Sequence, residues 1–496
     1  MAQSARADRF HFIGIGGEGM TALAEILLDR GRQVSGSDVH ANANTERLRQ
    51  HGARVAIGHD RRNLDGATTV VYNTAIHEDN CELVAARERG LRVLHRSELL
   101  QQLLEGTQGI AVSGTHGKTT TTAMLALVLR HGGLDPSLAA GGEVRNLGLH
   151  GHAGRGRHLV FEACESDASF LQYPGCSQII TNVEPDHLDQ HGSFEALCDR
   201  FRDFVRIADP NGFVVYCAAG DVLAGVVGET PAHLVSYALG RVADFRAESV
   251  QVQGFGVAYD LVVRGQPWGP VALRVPGRHN VANSLAAIAA AEAVGVEVGT
   301  AVQALGEFAG VKRRFELIYE GEGIMVVDDY AHHPTEVRAT LQAAREGFGR
   351  HLVCVFQPHL FSRTKILMDD FGRAFRDADE VILTSIYAAR EQPMEGVDGR
   401  QLLEAVRANQ PATPACYLEH LDEIVRYLAE PARPGDMVLT LGAGNVREVS
   451  LALAEELRGR PAPPPPATTA TNAAAPSGAQ TQQLMPPHAE HHPPRG

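Results

Sequence analysis

The chain has 496 residues, which is enough for three domains of ordinary size. It is 44% hydrophobic and 21% charged, with a formal net charge of -14, and it shows no local basic patch of the kind a nucleic-acid binder needs. It also lacks an apolar run of about 18 residues, a signal-like start and any CxxC pair among its seven cysteines, which argues against a membrane span, secretion and a zinc or disulfide framework and for a cytoplasmic protein.

The first unit, residues 1–108, opens with a strand at 10–13. Gly14-Ile15-Gly16-Gly17-Glu18-Gly19-Met20 follows, then an amphipathic helix over about 21–30 that Gly31 closes. A second strand ends at Asp38. Gly14, Gly16 and Gly19 match the dinucleotide fingerprint, with Asp38 19 residues past Gly19. The pattern leaves the ligand open between NAD and any nucleotide diphosphate, and Asp38 could equally cap the next turn. Further strands fall at 69–72 and 92–94, the first followed by Asn73 to His77 and Asn80.

The second unit, 109–311, begins with a buried strand at 109–112 that leads into Ser113-Gly114-Thr115-His116-Gly117-Lys118-Thr119-Thr120. A helix-compatible run leads out, and Gly132-Gly133 stand where a helix would stop. Strand, glycine turn and helix together cradle a phosphate, because backbone N–H groups and the helix dipole converge on the anion. Lys118 would reach the outer phosphates, and the Thr119 hydroxyl would ligate Mg2+. The spacing departs from the standard phosphate loop, since Val112 stands where its first glycine would fall. The chain has three lysines against 42 arginines, and one of the three sits in this turn. A slim ammonium suits a crowded phosphate site better than a planar guanidinium.

Residues 141–148 are glycine-rich and read as a loop approaching a ligand. A strand at 158–161 ends in Glu162, followed by Glu165 and Asp167, and another at 177–180 ends in Thr181 to Asp189, with Asp186 and His187. Carboxylates at the carboxyl ends of parallel strands share a sheet edge with the phosphate loop, where a Mg2+ ligand is needed. His279 and Asn280 stand at the start of an alanine-rich helix, as caps or as base-recognition groups.

The third unit, 312–460, carries Lys312-Arg313-Arg314-Phe315-Glu316. A strand at 324–327 then leads into Asp328-Asp329-Tyr330-Ala331-His332-His333-Pro334-Thr335-Glu336. A strand at 351–356 leads into Gln357-Pro358-His359-Leu360-Phe361-Ser362-Arg363-Thr364, and strands at 381–384 and 436–441 follow. Chemistry-bearing residues again sit just after strands, and clustered arginines with His and Tyr can clamp a carboxylate or phosphate. Ten of the 36 residues in 461–496 are proline, so this tail reads as disordered, and His488, His491 and His492 in it read as solvated.

From about Phe10 to Arg458 the chain resembles the Mur ligase family. The resemblance rests on Gly14 to Met20, Gly114 to Thr120, Glu165-Ser166-Asp167-Ala168-Ser169-Phe170-Leu171, Asp186-His187-Leu188-Asp189, Arg313 to Glu316, Asp328 to Glu336, and Gln357 to His359 with Ser362 to Thr364. It implies an α/β chain of three domains: an N-terminal Rossmann-like domain for the UDP substrate, a central P-loop-type ATPase domain with a parallel sheet, and a C-terminal Rossmann-like open sheet for the amino acid. The implied reaction joins L-alanine to UDP-N-acetylmuramate at the expense of ATP, with Mg2+, through an acyl phosphate. The Glu165 to Leu171 and Asp186 to Asp189 forms favour the alanine-adding branch over the recycling ligases that attach a whole peptide.

The resemblance also implies residue roles. Gly14, Gly16, Gly17, Gly19, Met20, Ser37, Asp38 and Asn80 would hold the UDP substrate. Gly114, Thr115, His116, Gly117, Lys118, Thr119 and Thr120, with His279, Asn280 and Arg314, would hold ATP. Thr119, Glu162 and His187 would bind Mg2+, although His is unusual for so hard a cation. Tyr330, His332, His359 and Arg363 would surround the alanine. The catalytic set would be Lys118, His187, Arg314 and Asp328 or Asp329. Two features depart from relatives. No lysine lies between Lys118 and Lys312, so the carbamoylated lysine of several relatives is absent, and Leu360 stands where some carry a basic residue, which leaves Arg363 to clamp the alanine carboxylate. A monomer or homodimer that closes around its substrates is expected. An NAD-dependent oxidoreductase would leave Lys118, Glu162 and His187 unexplained, and the abundance of polar groups at strand ends argues against a nucleotide-binding regulator without turnover.

Overall fold

The computed structural model describes residues 8–459 apart from 390, 431 and 432, so the tail and its three histidines lie outside the described residues. Three sheets carry the chain. The first is wholly parallel, in the order β3-β2-β1-β4-β5, from β1 (Arg9–Ile13), β2 (Gln33–Asp38), β3 (Arg54–Ile57), β4 (Thr69–Tyr72) and β5 (Arg92–His95). The helix Glu18–Asp29 follows β1, and its Met20, Leu23, Ala24 and Leu27 pack into a core with Phe10, Phe12 and Val71.

The central sheet has ten strands: β6 (Gln108–Ser113), β7 (Ser137–Val144), β8 (Leu149–His152), β9 (His158–Glu162), β10 (Ser177–Ile180), β11 (Phe213–Cys217), β12 (His233–Leu239), β13 (Phe245–Gln253), β14 (Gly256–Val263) and β15 (Gln266–Leu273). Their order is β15-β14-β13-β12-β11-β10-β6-β9-β7-β8. The middle is parallel, as the sequence predicts. Antiparallel β8 extends one end and antiparallel β14 and β15 the other, which the sequence reading does not contain. Behind the sheet, the helix Lys118–His131 packs on the alanine-rich helix Arg278–Ala293, whose small side chains let the two approach closely.

The third sheet runs β16-β17-β21-β18-β19-β20 and is parallel except where β16 (Glu316–Gly321) meets β17 (Ile324–Asp329). Its other strands are β18 (His351–Phe356), β19 (Glu380–Leu383), β20 (Ala415–Tyr417) and β21 (Asp436–Leu441). Among the described residues no helix is long and apolar enough to cross a membrane.

Two seams align the sheets. In the first, the fully buried carboxylate of Glu25 accepts the β8 amides of His150 at 2.9 Å and Gly151 at 2.7 Å, so edge-strand donors are satisfied by a helix of the first unit. In the second, Val311 bridges Val144, the Arg145 amide donates to Gly310 O at 3.0 Å, and the Lys312 amide donates to Glu143 O at 3.0 Å. The chain is thus strapped to β7 just before it enters the third sheet.

The expected loop at 141–148 is corrected in part, since Gly141 and Gly142 belong to β7. They are glycines because of crowding: a Cβ at Gly141 would lie 2.7 Å from the Glu162 carboxylate, and one at Gly142 would lie 2.9 Å from Val311. Gly151 is crowded more severely, with a Cβ position 2.0 Å from the Ala22 carbonyl oxygen. Gly151→Ala should therefore force the helix Glu18–Asp29 off β8 and cost about 1–3 kcal/mol, read as a lower denaturation midpoint. An unchanged midpoint would show that this seam has slack.

Candidate active site

β6 ends at the phosphate loop, and the segment after β10 braces it. The Thr115 amide donates to Asn182 O at 3.1 Å, the His116 amide donates to Asn182 Oδ1 at 2.9 Å, and the Thr181 hydroxyl donates to His116 O at 2.5 Å. Gly114 has φ +128° and Gly117 φ +82°, and a Cβ at either would collide, with Thr181 Oγ1 at 2.2 Å or with Asn283 Oδ1 at 2.5 Å. Both positions require glycine. No side chain caps the helix that starts at Lys118, so its first amides are available to an anion.

Lys118 curls back over this loop. Its ammonium donates to Gly114 O, to Thr115 O at 3.0 Å and to Glu165 Oε1 at 3.0 Å. Burial works against its charge, but the acidic groups around it, Glu165 foremost, together outweigh this and raise its pKa. Glu165, named in the sequence only as part of a motif, is 2% exposed, and its Oε2 also lies 3.0 Å from the Lys118 ammonium.

Two clefts meet over the loop. The first, about 970 Å³ and open to solvent, runs from Gly117, Thr119 and Thr120 past Asn280 and Asn283 to the apolar side chains of Val275 and Phe308. Lined by both the polar loop and apolar side chains, it suits a nucleotide. Gly277 is the cap position of the helix Arg278–Ala293, so His279 and Asn280 are not caps, and both line the cleft. The sequence reading missed Asn283, which donates to Asn280 Oδ1 at 3.1 Å, although it lies three residues on and on the same helix face.

The second cleft, about 860 Å³, lies between Gly16, Glu18 and Arg47 of the first unit, β7, and Arg313, Tyr330 and Arg447 of the third. Of the eight residues expected to hold the UDP substrate, only Gly16 lines it. Met20 is core, and Ser37 is fully buried, its hydroxyl donating to Glu82 Oε2 at 2.5 Å. Asn80 caps the helix Cys81–Glu88, and Asp38 accepts the Gly16 amide at 2.9 Å and so shapes the turn. Gly14 and Gly17 also form the turn and Gly19 lies in the first turn of the helix Glu18–Asp29, and none of the three lines the cleft. In this structure the side chains of Met20, Ser37 and Asn80 are thus engaged by the core, by Glu82 and by the helix start respectively. The sequence reading missed Arg47, which pairs with Glu143, and buried His150, which contacts both Arg47 and Glu18.

Thr119, Val311 and Arg314 line both clefts and form their common wall. Arg314 lies over the Tyr330 ring, 5.3 Å from its centroid, with Nη1 3.8 Å from Glu336 Oε1. Asp329 lines the first cleft and accepts the amides of Phe315 at 2.7 Å and Ala331 at 2.8 Å. Burial pushes its carboxyl up to about 6 against the opposing pull of Arg314. Asp328 is corrected. It is fully buried, with Arg313 Nε at 3.2 Å and Arg447 Nη1 at 2.9 Å, and it lines neither cleft.

The residues expected around the amino acid do gather. The Tyr330 and His332 rings lie 5.3 Å apart, those of His332 and His359 5.8 Å, and Arg363 Nη1 is 3.3 Å from His359 Nδ1. Burial lowers His332 to about 4, which leaves it neutral. Arg363 is not a free clamp, since its Nε donates to Asp186 Oδ1 at 3.1 Å. Burial opposes the charge of Asp186, yet Arg363 holds it well below the usual carboxylate range.

Thr119 and Glu162 flank the two β7 glycines, with the Glu162 carboxylate accepting the Gly141 amide and the Thr119 methyl 3.3 Å from the Cβ position of Gly142. This hydroxyl and carboxylate fit a hard cation. His187 Nε2 lies 3.5 Å from Asp186 and 3.9 Å from Glu165. A different trio, His116, Glu184 and His333, places its donor atoms within 4.8 Å of one another. Its chemistry is that of a salt link. Burial opposes a charge on His116, but the Glu184 carboxylate, 3.7 Å from Nε2, and Glu336, hydrogen-bonded to Nδ1, lift it to about 9.

The family-model comparisons match the whole of this layout. Residues 9–108 match the Mur ligase family catalytic domain, 112–291 the Mur ligase middle domain, and 313–444 the Mur ligase glutamate ligase domain. The chain belongs to the Mur ligase family. It is 47% identical over 478 residues to a UDP-N-acetylmuramate--L-alanine ligase of Symbiobacterium thermophilum, covering 92% of this chain and 99% of that one. Among solved structures it resembles the UDP-N-acetylmuramate-alanine ligase MurC of Thermotoga maritima (TM-score 0.78, 29% identity, 91% and 99% covered). It also resembles a murein peptide ligase of Psychrobacter arcticus (TM-score 0.70, 27% identity, 92% and 100% covered).

The His116 link gives a pH signature. A folded pKa of about 9 against an unfolded value near 6.5 means its stabilisation is full below about 6.5 and fades as pH rises through about 9. The stability gap between wild type and His116→Gln should therefore shrink from pH 6 to pH 9.5 in denaturant titrations. A gap that grew over that range would contradict a cationic His116.

Proposed function

We propose that the chain joins L-alanine to UDP-N-acetylmuramate with consumption of ATP, in peptidoglycan synthesis. The observation that carries this reading is the common wall of Thr119, Val311 and Arg314 between a nucleotide-shaped cleft and a cation-rich one. A γ-phosphoryl group at the phosphate loop and a sugar-borne carboxylate in the second cleft would meet at that wall. The curated relatives support alanine over a whole peptide as the group added. Domain breaks near residues 108 and 311 and a cytoplasmic location belong to the same proposal.

The lactyl carboxylate oxygen attacks the γ-phosphorus, the bond to the bridging oxygen breaks, and ADP leaves. The unprotonated alanine amine then attacks the acyl carbon, phosphate departs with the C–O electron pair, and the amine releases its proton. Charge accumulates on phosphoryl oxygens, so fixed donors and cations at the loop supply the stabilisation. Lys118 turns from Glu165 to the outer phosphates, and Arg314 faces the transferred group. Thr119 and Glu162, with His187, would hold Mg2+, which would supply further positive charge to the phosphoryl oxygens. Asp329 holds the backbone around Arg314, and Tyr330, His332, His359 and Arg363 surround the amino acid.

Phosphate release from ATP should require both UDP-N-acetylmuramate and alanine, and a tripeptide should not replace alanine. Lys118→Ala should lower kcat by at least about 100-fold, roughly 3 kcal/mol. ATP consumption without the muramyl nucleotide, or near-normal turnover of the variant, would refute the reading.

A further inference from the structure

We infer that Phe255, at the tip of the β13–β14 hairpin, is a positioning residue that sets the Arg314–Asp329 wall against the phosphate loop. The inference rests on the first cleft being the ATP site. Phe255 belongs to the central sheet, yet its ring packs into a cluster of the third unit. It meets Phe348 edge-on at 4.9 Å and 78°, and Phe315 at 6.0 Å and 80°. Phe315 and Phe348 stack at 5.9 Å and 13°. Backbone contact reinforces the rings: the Gly254 amide donates to Gly347 O at 2.8 Å, and a Cβ at Gly347 would lie 2.8 Å from Gly254 O.

This contact reaches the cleft by two routes. Phe315 follows Arg314 directly, and its amide donates to Asp329 Oδ2. Phe348 ends the helix Pro334–Phe348, whose first turn carries Glu336, the partner of His116 in the phosphate loop. The hairpin therefore braces the far end of the helix whose near end forms the cleft. The intervening backbone needs such bracing. Gly310, Arg313 and Phe315 have φ +90°, +58° and +47°, values that side chain-bearing residues rarely hold unless their surroundings enforce them. An aromatic ring suits the task because edge-to-face packing fixes direction as well as distance.

The test uses the full chain, with rates measured against ATP at saturating UDP-N-acetylmuramate and alanine. Phe255→Ala should raise KM for ATP at least about 10-fold, because small displacements of positioning groups carry large kinetic penalties. Phe255→Leu should keep KM within about threefold of wild type, since it retains most of the apolar bulk. The thermal midpoint of each variant separates positioning from loss of fold. Gly347→Ala pushes the hairpin away from the opposite side and should reproduce the rise, which covers the case of a Phe255→Ala chain that does not fold. Unchanged KM and kcat in Phe255→Ala or Gly347→Ala, with wild type turning over, would overturn this inference alone. A wild-type chain that consumes no ATP would instead overturn the function it rests on.

Discussion

The carboxylate of Glu336 is the point on which the site depends. It accepts the His332 amide at 3.0 Å and the His333 amide at 3.3 Å, closing the start of the helix Pro334–Phe348 as a capping box. The same group faces His116 Nδ1 at 3.2 Å and Arg314 Nη1 at 3.8 Å. One side chain thus ends a helix of the third unit, holds the phosphate loop of the second and steadies the arginine between the clefts. Such a buried pair adds little stability over an apolar contact of equal size, because desolvation offsets most of the attraction. Its effect is on arrangement. Removing either partner strands a buried charge, so alternative placements of the third sheet are penalised.

That constraint explains the strap at residues 310–312. A site assembled from three sheets needs a fixed register where the chain passes between them. Pairing with β7 supplies the register, and the left-handed backbone at Gly310, Arg313 and Phe315 reverses the chain within six residues. β7 performs a second task from its other face. Its two glycines leave room for Thr119 and Glu162, so the strand that anchors the strap also forms the floor of the second cleft.

The sequence was legible where main chain carries the chemistry. The phosphate loop, the glycine turn after β1 and the strand-end clusters of all three units follow from glycine placement and from the switch-point geometry of parallel sheets. It was much less legible where a side chain's task is set by a distant partner. Ser37 looks like a ligand contact until Glu82, 45 residues on, takes its hydroxyl. Asp328 and Asp329 are adjacent and chemically alike, yet strand alternation sends one to Arg313 and Arg447 and the other to the cleft. Arg47 and His150 carry no local signal, since 103 residues separate them. Asn283 and Glu336 did carry one, as the same-face repeat after Asn280 and as the third residue after a helix cap. The antiparallel ends of the central sheet lie where the chemistry-bearing strings thin out, and the Phe255 hairpin is among them.

Each cation placed to meet an anionic substrate already faces a carboxylate. Lys118 pairs with Glu165 at 3.0 Å, Lys312 with Glu143 at 2.7 Å, Arg363 with Asp186 at 3.1 Å, and Arg447 with Glu316 at 2.7 Å. Arg47 shares Glu143, and Arg313 shares Asp328. On the proposed function, substrate binding would be an exchange of anions at fixed cations. The gain per contact is the difference between two ion pairs, which is far smaller than the capture of an anion by a bare cation. Tight binding then requires several exchanges at once, made by a ligand whose charges match the spacing of the cations. A lone phosphate replaces one carboxylate and gains little, whereas a triphosphate, or a diphosphate carrying a distant carboxylate, replaces several. In a chain with a net charge of -14, selectivity on that reading would come from this resident acid, which keeps the arginines in place.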